Sequence, residues 1–413
     1  MPGQTIKRLL EPPSVDGAWL RLAASLLLAT LGGVGLWSSV VVLPTIEVEF
    51  GIDRGGASIP FTATMLGVAV GGVFMGWLAD RFGIILPLVL GASMLGLGYI
   101  AASQVTSYWQ FILVHALLIG ALGSSVAFGP LVADISHWFL RRRGIAIAIV
   151  ASGNYLSGTI WPPVLQHGIE TIGWRETHLA VGIFCIAVML PLALLLRRRP
   201  PVESGDRPVS AHASPTAMRL SPGALQALLV FAGIACCVAM SMPQVHIVAY
   251  CADLGYGPAR GAEMLSVMLG LGVVSRLASG VIADRIGGVG TLVLGSSLQA
   301  LALIFYLPFD GLASLYIVSA IFGRSQGGIV PSYALIVREH FPAREAGARV
   351  SLVLMASVFG MALGGWLSGE IYDLSGSYEA AFLHGIAWNL VNLAIAMWLL
   401  MGRMRPTPQA SAA

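Results

Sequence analysis

Two arginines interrupt apolar stretches long enough to cross a bilayer. Arg276 lies within residues 262–283, about two turns before that stretch ends, and Arg324 about twelve residues into 312–337, near mid-depth. No aspartate or glutamate falls at mid-depth of any apolar stretch, so neither guanidinium has an evident counter-ion. An arginine inside a membrane costs at least about 2.5–3.5 kcal/mol on insertion scales and needs a wet cavity, carbonyl partners or an anionic ligand. A carboxylate suits it, because the planar guanidinium fork takes both oxygens. Two readings therefore stand for each arginine: a substrate cation, or a structural donor to the carbonyls of broken helices. Gly323, Gly327, Gly328 and Pro331 around Arg324 give the second reading weight there.

Other side chains are placed to share such a site. Asn154 and Tyr155 stand at mid-depth of residues 145–166 and offer hydrogen bonds. Phe128, beside Gly129 and Pro130, offers an apolar wall. His246, next to Gln244 and the kinking Pro243, offers a substrate contact or a proton carrier, and His115 and His384 are the other titratable candidates. For each, a plain packing role is the alternative. The cysteines Cys185, Cys236, Cys237 and Cys251 have no metal-ligand spacing and read as buried small apolar residues, so neither a metal nor a cofactor is expected. No acid, base and nucleophile cluster and no P-loop stands out, which argues against an enzyme or an ATP-driven pump. A sensor would want an extramembrane domain.

Composition says what must hold these groups. Of 413 residues, 56% are hydrophobic and 10% charged, against roughly 25% charged in a soluble domain. A bilayer crossing takes about 20 apolar residues, so the chain has room for about twelve crossings and little else. Apolar windows fall at 19–43, 58–79, 84–103, 109–132, 145–166 and 178–196, then at 224–250, 262–283, 289–309, 312–337, 350–371 and 380–401. The polar stretch between the two sets reads as a disordered linker. The divisions are a tail (1–17), a six-helix bundle (18–196), the linker (197–222), a second six-helix bundle (223–402) and a tail (403–413). With both termini cytoplasmic, inner segments carry 18 of the 23 basic residues. Arg54, Arg175 and Arg260 fall outside, and Arg276 and Arg324 lie within helices. A net charge of +3 gives no reason to expect nucleic acid; the lipid bilayer is the expected partner. The N-terminus shows no cleavable signal pattern, so the first apolar run reads as a retained crossing.

A repeat joins the halves. Gly76-Trp-Leu-Ala-Asp80-Arg81-Phe-Gly83 recurs as Gly280-Val-Ile-Ala-Asp284-Arg285-Ile-Gly287, 204 residues later. A looser echo at the same offset pairs Gly173-Trp174-Arg175-Glu176 with Ser377-Tyr378-Glu379-Ala380. Parallel six-helix repeats with a cavity between them are a transporter architecture. Glycine permits the tight turn, and the charged pair can cap or bridge helix ends. These residues are read as a conformational gate, with tight-turn formation as the plain alternative.

The repeated turn resembles the cytoplasmic signature of the major facilitator superfamily. Trp138-Phe139-Leu140-Arg141-Arg142-Arg143 followed by Ala151-Ser152-Gly153-Asn154, the start Asp16-Gly17-Ala18-Trp19, and His246 to Gly255 resemble the monocarboxylate and oxalate/formate branch. The resemblance implies alternating access by a secondary carrier of a small organic anion, and Arg276 matches the place of that branch's substrate-binding arginine. It also exposes departures. Proton-coupled members carry a first-helix lysine and an aspartate four residues before this arginine, whereas Lys7 is the one lysine here and Gly272 takes the aspartate's place. Proton symport by that route is not expected, and a proton or a counter-substrate stays open as coupling partner. A drug or neutral-metabolite exporter is the alternative. Compactness suggests a bacterial inner membrane.

Overall fold

The computed structural model describes residues 15–139, 143–197 and 221–404. The terminal tails up to residue 14 and from 405, the basic residues Arg141 and Arg142, and most of the expected linker lie outside these. Every regular element among the described residues is helical. In lipid, helices satisfy their own backbone, which is why so apolar a chain takes this form.

The N-terminal part holds α1 (Val15–Gly32), α2 (Val34–Phe50), α3 (Arg54–Phe82), α4 (Ile85–Ser103), α5 (Tyr108–Val114), α6 (Gly129–Trp138), α7 (Arg143–Ala151), α8 (Gly153–Ile172) and α9 (Trp174–Leu195). The C-terminal part holds α10 (Pro222–Asp253), α11 (Pro258–Phe305), α12 (Leu312–Gln326), α13 (Ile329–His340), α14 (Ala343–Ser375) and α15 (Tyr378–Met404). Nine helical stretches among the described residues are long and apolar enough to span a membrane. Several run past the sequence-expected ends. The first continues through Gly33 to Phe50, and α3 begins at Arg54 because Asp53 caps it through the Gly56 amide.

Irregular turns fall where glycine and proline cluster. Between α5 and α6 the chain passes through a π-helix (His115–Gly123) and a 3-10 turn (Ser124–Ala127) before Pro130 restarts the α-helix. Gly327 and Gly328 separate α12 from α13. The repeat is reproduced in backbone: Gly83 has φ 83° and ψ 167°, and Gly287 has φ 75° and ψ 174°, the latter inside the 48-residue α11. The second echo slips by one residue, since the positive φ falls at Gly173 and at Gly376.

Buried apolar side chains form two clusters. One runs from Leu22 to Leu196. The other is drawn mainly from Leu225 to Leu399 and takes in Trp37, Phe61 and Tyr155 from the N-terminal part. Helix α3 packs against α14 and α8 against α11, so these pairs carry the contact between the two parts.

Candidate functional site

Arg276 sits on α11 where that helix faces α8. The turn is interrupted at Ser152, between α7 and α8, and Arg276 Nη1 donates to the Ala151 carbonyl at 2.8 Å. Its guanidinium lies 4.4 Å above the Tyr155 ring, a desolvated cation–π geometry. Its Nε is buried with no hydrogen-bond partner, and no carboxylate lies within ion-pair distance of it among the described residues. Carbonyl capping and an aromatic face thus account for part of its cost, and one donor is left over.

Tyr155 also explains the glycine at position 272. A Cβ there would stand 2.8 Å from Tyr155 Cδ1 and Cε1, so the ring occupies the space an aspartate would need. Beside it, Asn154 accepts from Trp37 Nε1 through its backbone carbonyl at 3.4 Å, while its side-chain Oδ1 is buried without a partner. Arg276, Tyr155 and Asn154 therefore form one group between the two parts, with an unused donor and an unused acceptor.

The remaining expected residues do not join it. Arg324 is exposed and lines a separate cavity with residues of α11 and α12. His246 Nε2 donates to the Gly365 carbonyl at 2.7 Å, and its ring lies 6.2 Å from Tyr378, nearer a second group described below. Phe128 sits at the non-helical turn before α6 with its ring 43% exposed. His115 packs 4.1 Å from Phe111 and His384 accepts from Trp388. Asp80, Arg81, Gly83, Asp284 and Arg285 are exposed, Gly287 forms the second bend, and Gly76 and Gly280 lie in the helices that lead into the two bends. Arg81 lies over Trp77 and Phe82.

One group escaped sequence reasoning. Arg54, placed by hydropathy in an outer loop, is 5% exposed. It pairs with Glu47 at 2.7 Å and with Asp253 at 3.0 Å, and donates to the Tyr378 hydroxyl. Asp373 of α14 accepts from the amides of Arg54 at 3.0 Å and Gly55 at 2.6 Å, capping α3 from the other half. The available signal was opposite charge at span ends in both halves, with nothing in spacing to pair residues 199 or 319 positions apart.

Residues 25–348 match the Major Facilitator Superfamily profile. The chain belongs to that superfamily. Monocarboxylate transporter 13 of Bos taurus is 27% identical over 403 residues, covering 94% of this chain and 91% of its own length. The Agnestins efflux protein AgnL12 of Paecilomyces divaricatus is 25% identical over 407 residues, covering 96% and 90%. A solved POT family transporter in complex with 5-aminolevulinic acid superposes with a TM-score of 0.72 at 13% identity, over 94% of this chain and 96% of that one, a likeness of fold alone. This superfamily member is a multi-pass membrane transporter and not an enzyme. The expected bacterial inner membrane finds no support in the curated relatives, which are eukaryotic.

Proposed function

We propose that this chain is a twelve-crossing secondary carrier that moves a small organic anion by alternating access, with the substrate carboxylate on Arg276. The twelve follow from the nine long stretches, in which α1 with α2 and α5 with α6 are single, if α11 counts as two crossings bent at Gly287 and if α7 with α8, and α12 with α13, add one each. The halves are then 18–196 and 223–402, joined by 197–222, with both termini, 1–17 and 403–413, cytoplasmic. The observation that carries the reading is Arg276 itself: an intramembrane guanidinium at the contact between halves, without a carboxylate and with a buried free Nε. A bound carboxylate supplies the missing acceptor, and Asn154 and Tyr155 orient the rest of the molecule.

The matching test is uptake of a labelled carboxylate panel into proteoliposomes, with and without preloaded counter-substrate and a pH gradient. Arg276→Ala should nearly abolish carboxylate binding. Arg276→Lys should weaken it, because lysine keeps the charge but not the fork. Unchanged affinity in a folded Arg276→Ala carrier would sink the assignment. One observation favours a second reading, export of a drug or neutral metabolite: a relative matching along nearly the whole chain is named an efflux protein. In that case uncharged compounds compete for binding, and Arg276 serves to hold the Ala151 carbonyl.

A further inference from the structure

Arg324 occupies a different place from the site between the halves. It belongs to α12, and its backbone carbonyl accepts from Ser275 of α11 at 2.5 Å. Ser275 stands eight positions before residue 283, where the apolar stretch ends, about 12 Å along a helix, so the Arg324 backbone lies near the middle of a hydrocarbon core about 30 Å thick. Its side chain is exposed, and among the described residues its guanidinium has no hydrogen-bond, ion-pair or aromatic partner.

The cavity it lines has a volume of about 340 Å³ and is walled entirely by α11, on both sides of its bend, and by α12. Arg276 is absent from the wall although Ser275 is in it, so Arg276 leaves α11 on a different side from the one that faces Arg324 of α12. Val274, Leu294 and Leu298 of this wall are 50%, 40% and 42% exposed. Apolar side chains exposed at that depth face acyl chains, so the groove opens to lipid. An unpaired arginine at the base of an apolar groove is complementary to an amphiphile with one negative charge and an apolar tail.

Depth selects among such amphiphiles. A phospholipid keeps its phosphate at the headgroup level, beyond the edge of the core and so more than about 12 Å from the level of the Arg324 backbone. A carboxylate on a single chain is small, and paired bidentately with a guanidinium it forms a neutral unit that can lie within the core. Ser279, whose hydroxyl has no partner among the described residues, sits one turn from Ser275 and adds a second donor. We infer that the groove between the two arms of α11 and α12 binds a long-chain free fatty acid, its carboxylate on Arg324 and its tail along Val274, Leu294 and Leu298. The inference does not depend on the carboxylate transport proposed for Arg276.

The test is thermal unfolding of the full chain, purified free of added lipid, titrated with oleate, oleyl alcohol or phosphatidylglycerol. Oleate should raise Tm by several degrees and saturate, with oleyl alcohol silent. Arg324→Gln should remove the oleate response, and Arg276→Ala should keep it. Leu298→Trp fills the groove while leaving Arg324 in place and should also remove the response, which keeps the test decisive if Arg324→Gln fails to fold. An oleate response that survives both groove variants, that is shared by oleyl alcohol, or that disappears in Arg276→Ala would overturn the site. So would an Arg324-dependent response to phosphatidylglycerol with oleate silent, which would make a phospholipid the occupant.

Discussion

The two ends of the molecule are built from the same types of residue and treat charge in opposite ways. At the Arg54 end, one guanidinium is buried and shared among Glu47 of its own half and Asp253 and Tyr378 of the other. At the repeat-motif end, Asp80, Arg81, Asp284 and Arg285 are exposed, and none forms an ion pair among the described residues. The Arg54 end is therefore latched in this structure, and the motif end has its charges in hand for another arrangement. A carrier that alternates must break the first set, and water entering the open end can then solvate what the latch had desolvated. Exposed pairs are worth little and buried ones much, so the ends should respond to mutation on different scales.

The largest effect is expected at the latch. Arg54→Ala removes the buried cation from Glu47, which is partly exposed, and from Asp253, which is exposed, and should cost about 3 kcal/mol of stability, the low end for a buried pair because water still reaches both carboxylates. It also frees α3 from α10 and α15. A cysteine in place of the buried Ser58 should then gain reactivity toward a membrane-impermeant maleimide relative to the same reporter beside Arg54. Unchanged labelling would mean that apolar packing, not the ion network, closes this end.

An intermediate effect is expected at the two matching bends. Gly83 and Gly287 hold nearly the same backbone, in a region essentially restricted to glycine. Alanine at either should cost about 1–3 kcal/mol through strain alone, since a Cβ at Gly83 meets nothing within 4 Å. Equal losses in chemical unfolding would support mechanical equivalence of the repeats. A loss at only one would show that the duplicated sequence is used differently in each half.

How far the sequence reached follows the same physical divide. Apolar windows fell on the long apolar helices because lipid demands self-satisfied helices, and the duplicated turn marked both bends because few residues other than glycine adopt that backbone. Arg276 was found because a mid-helix charge is conspicuous in an apolar run. The Arg54 network was not, since burial there comes from α3, α10, α14 and α15 meeting, which no local pattern encodes. Arg324 was equally conspicuous but its direction was not legible: periodicity marks a helix face, and whether that face meets a central cavity or lipid depends on how α12 lies against α11. The glycine at 272 looked like a missing acid until Tyr155 was seen to fill its space.

The smallest stability effect and the most specific functional one belong to the motif carboxylates. Asp80→Asn and Asp284→Asn each replace an exposed group, so unfolding free energy should stay within about 0.5 kcal/mol of the parental value. If these carboxylates engage helix ends or cations only when the motif end closes, their loss removes an interaction present in one half of the cycle and absent in the other. Equilibrium substrate binding to the state latched at Arg54 should then be largely unchanged while transport slows, because the closed state at the motif end has lost stabilisation. Binding and initial transport rates measured on the same proteoliposome preparations separate these quantities. Parental rates in both variants would remove the gating role and leave the duplicated turns as tight-turn formers. Slow transport in Asp80→Asn alone would assign the gate to the first repeat and show that the second bend serves only to position α11.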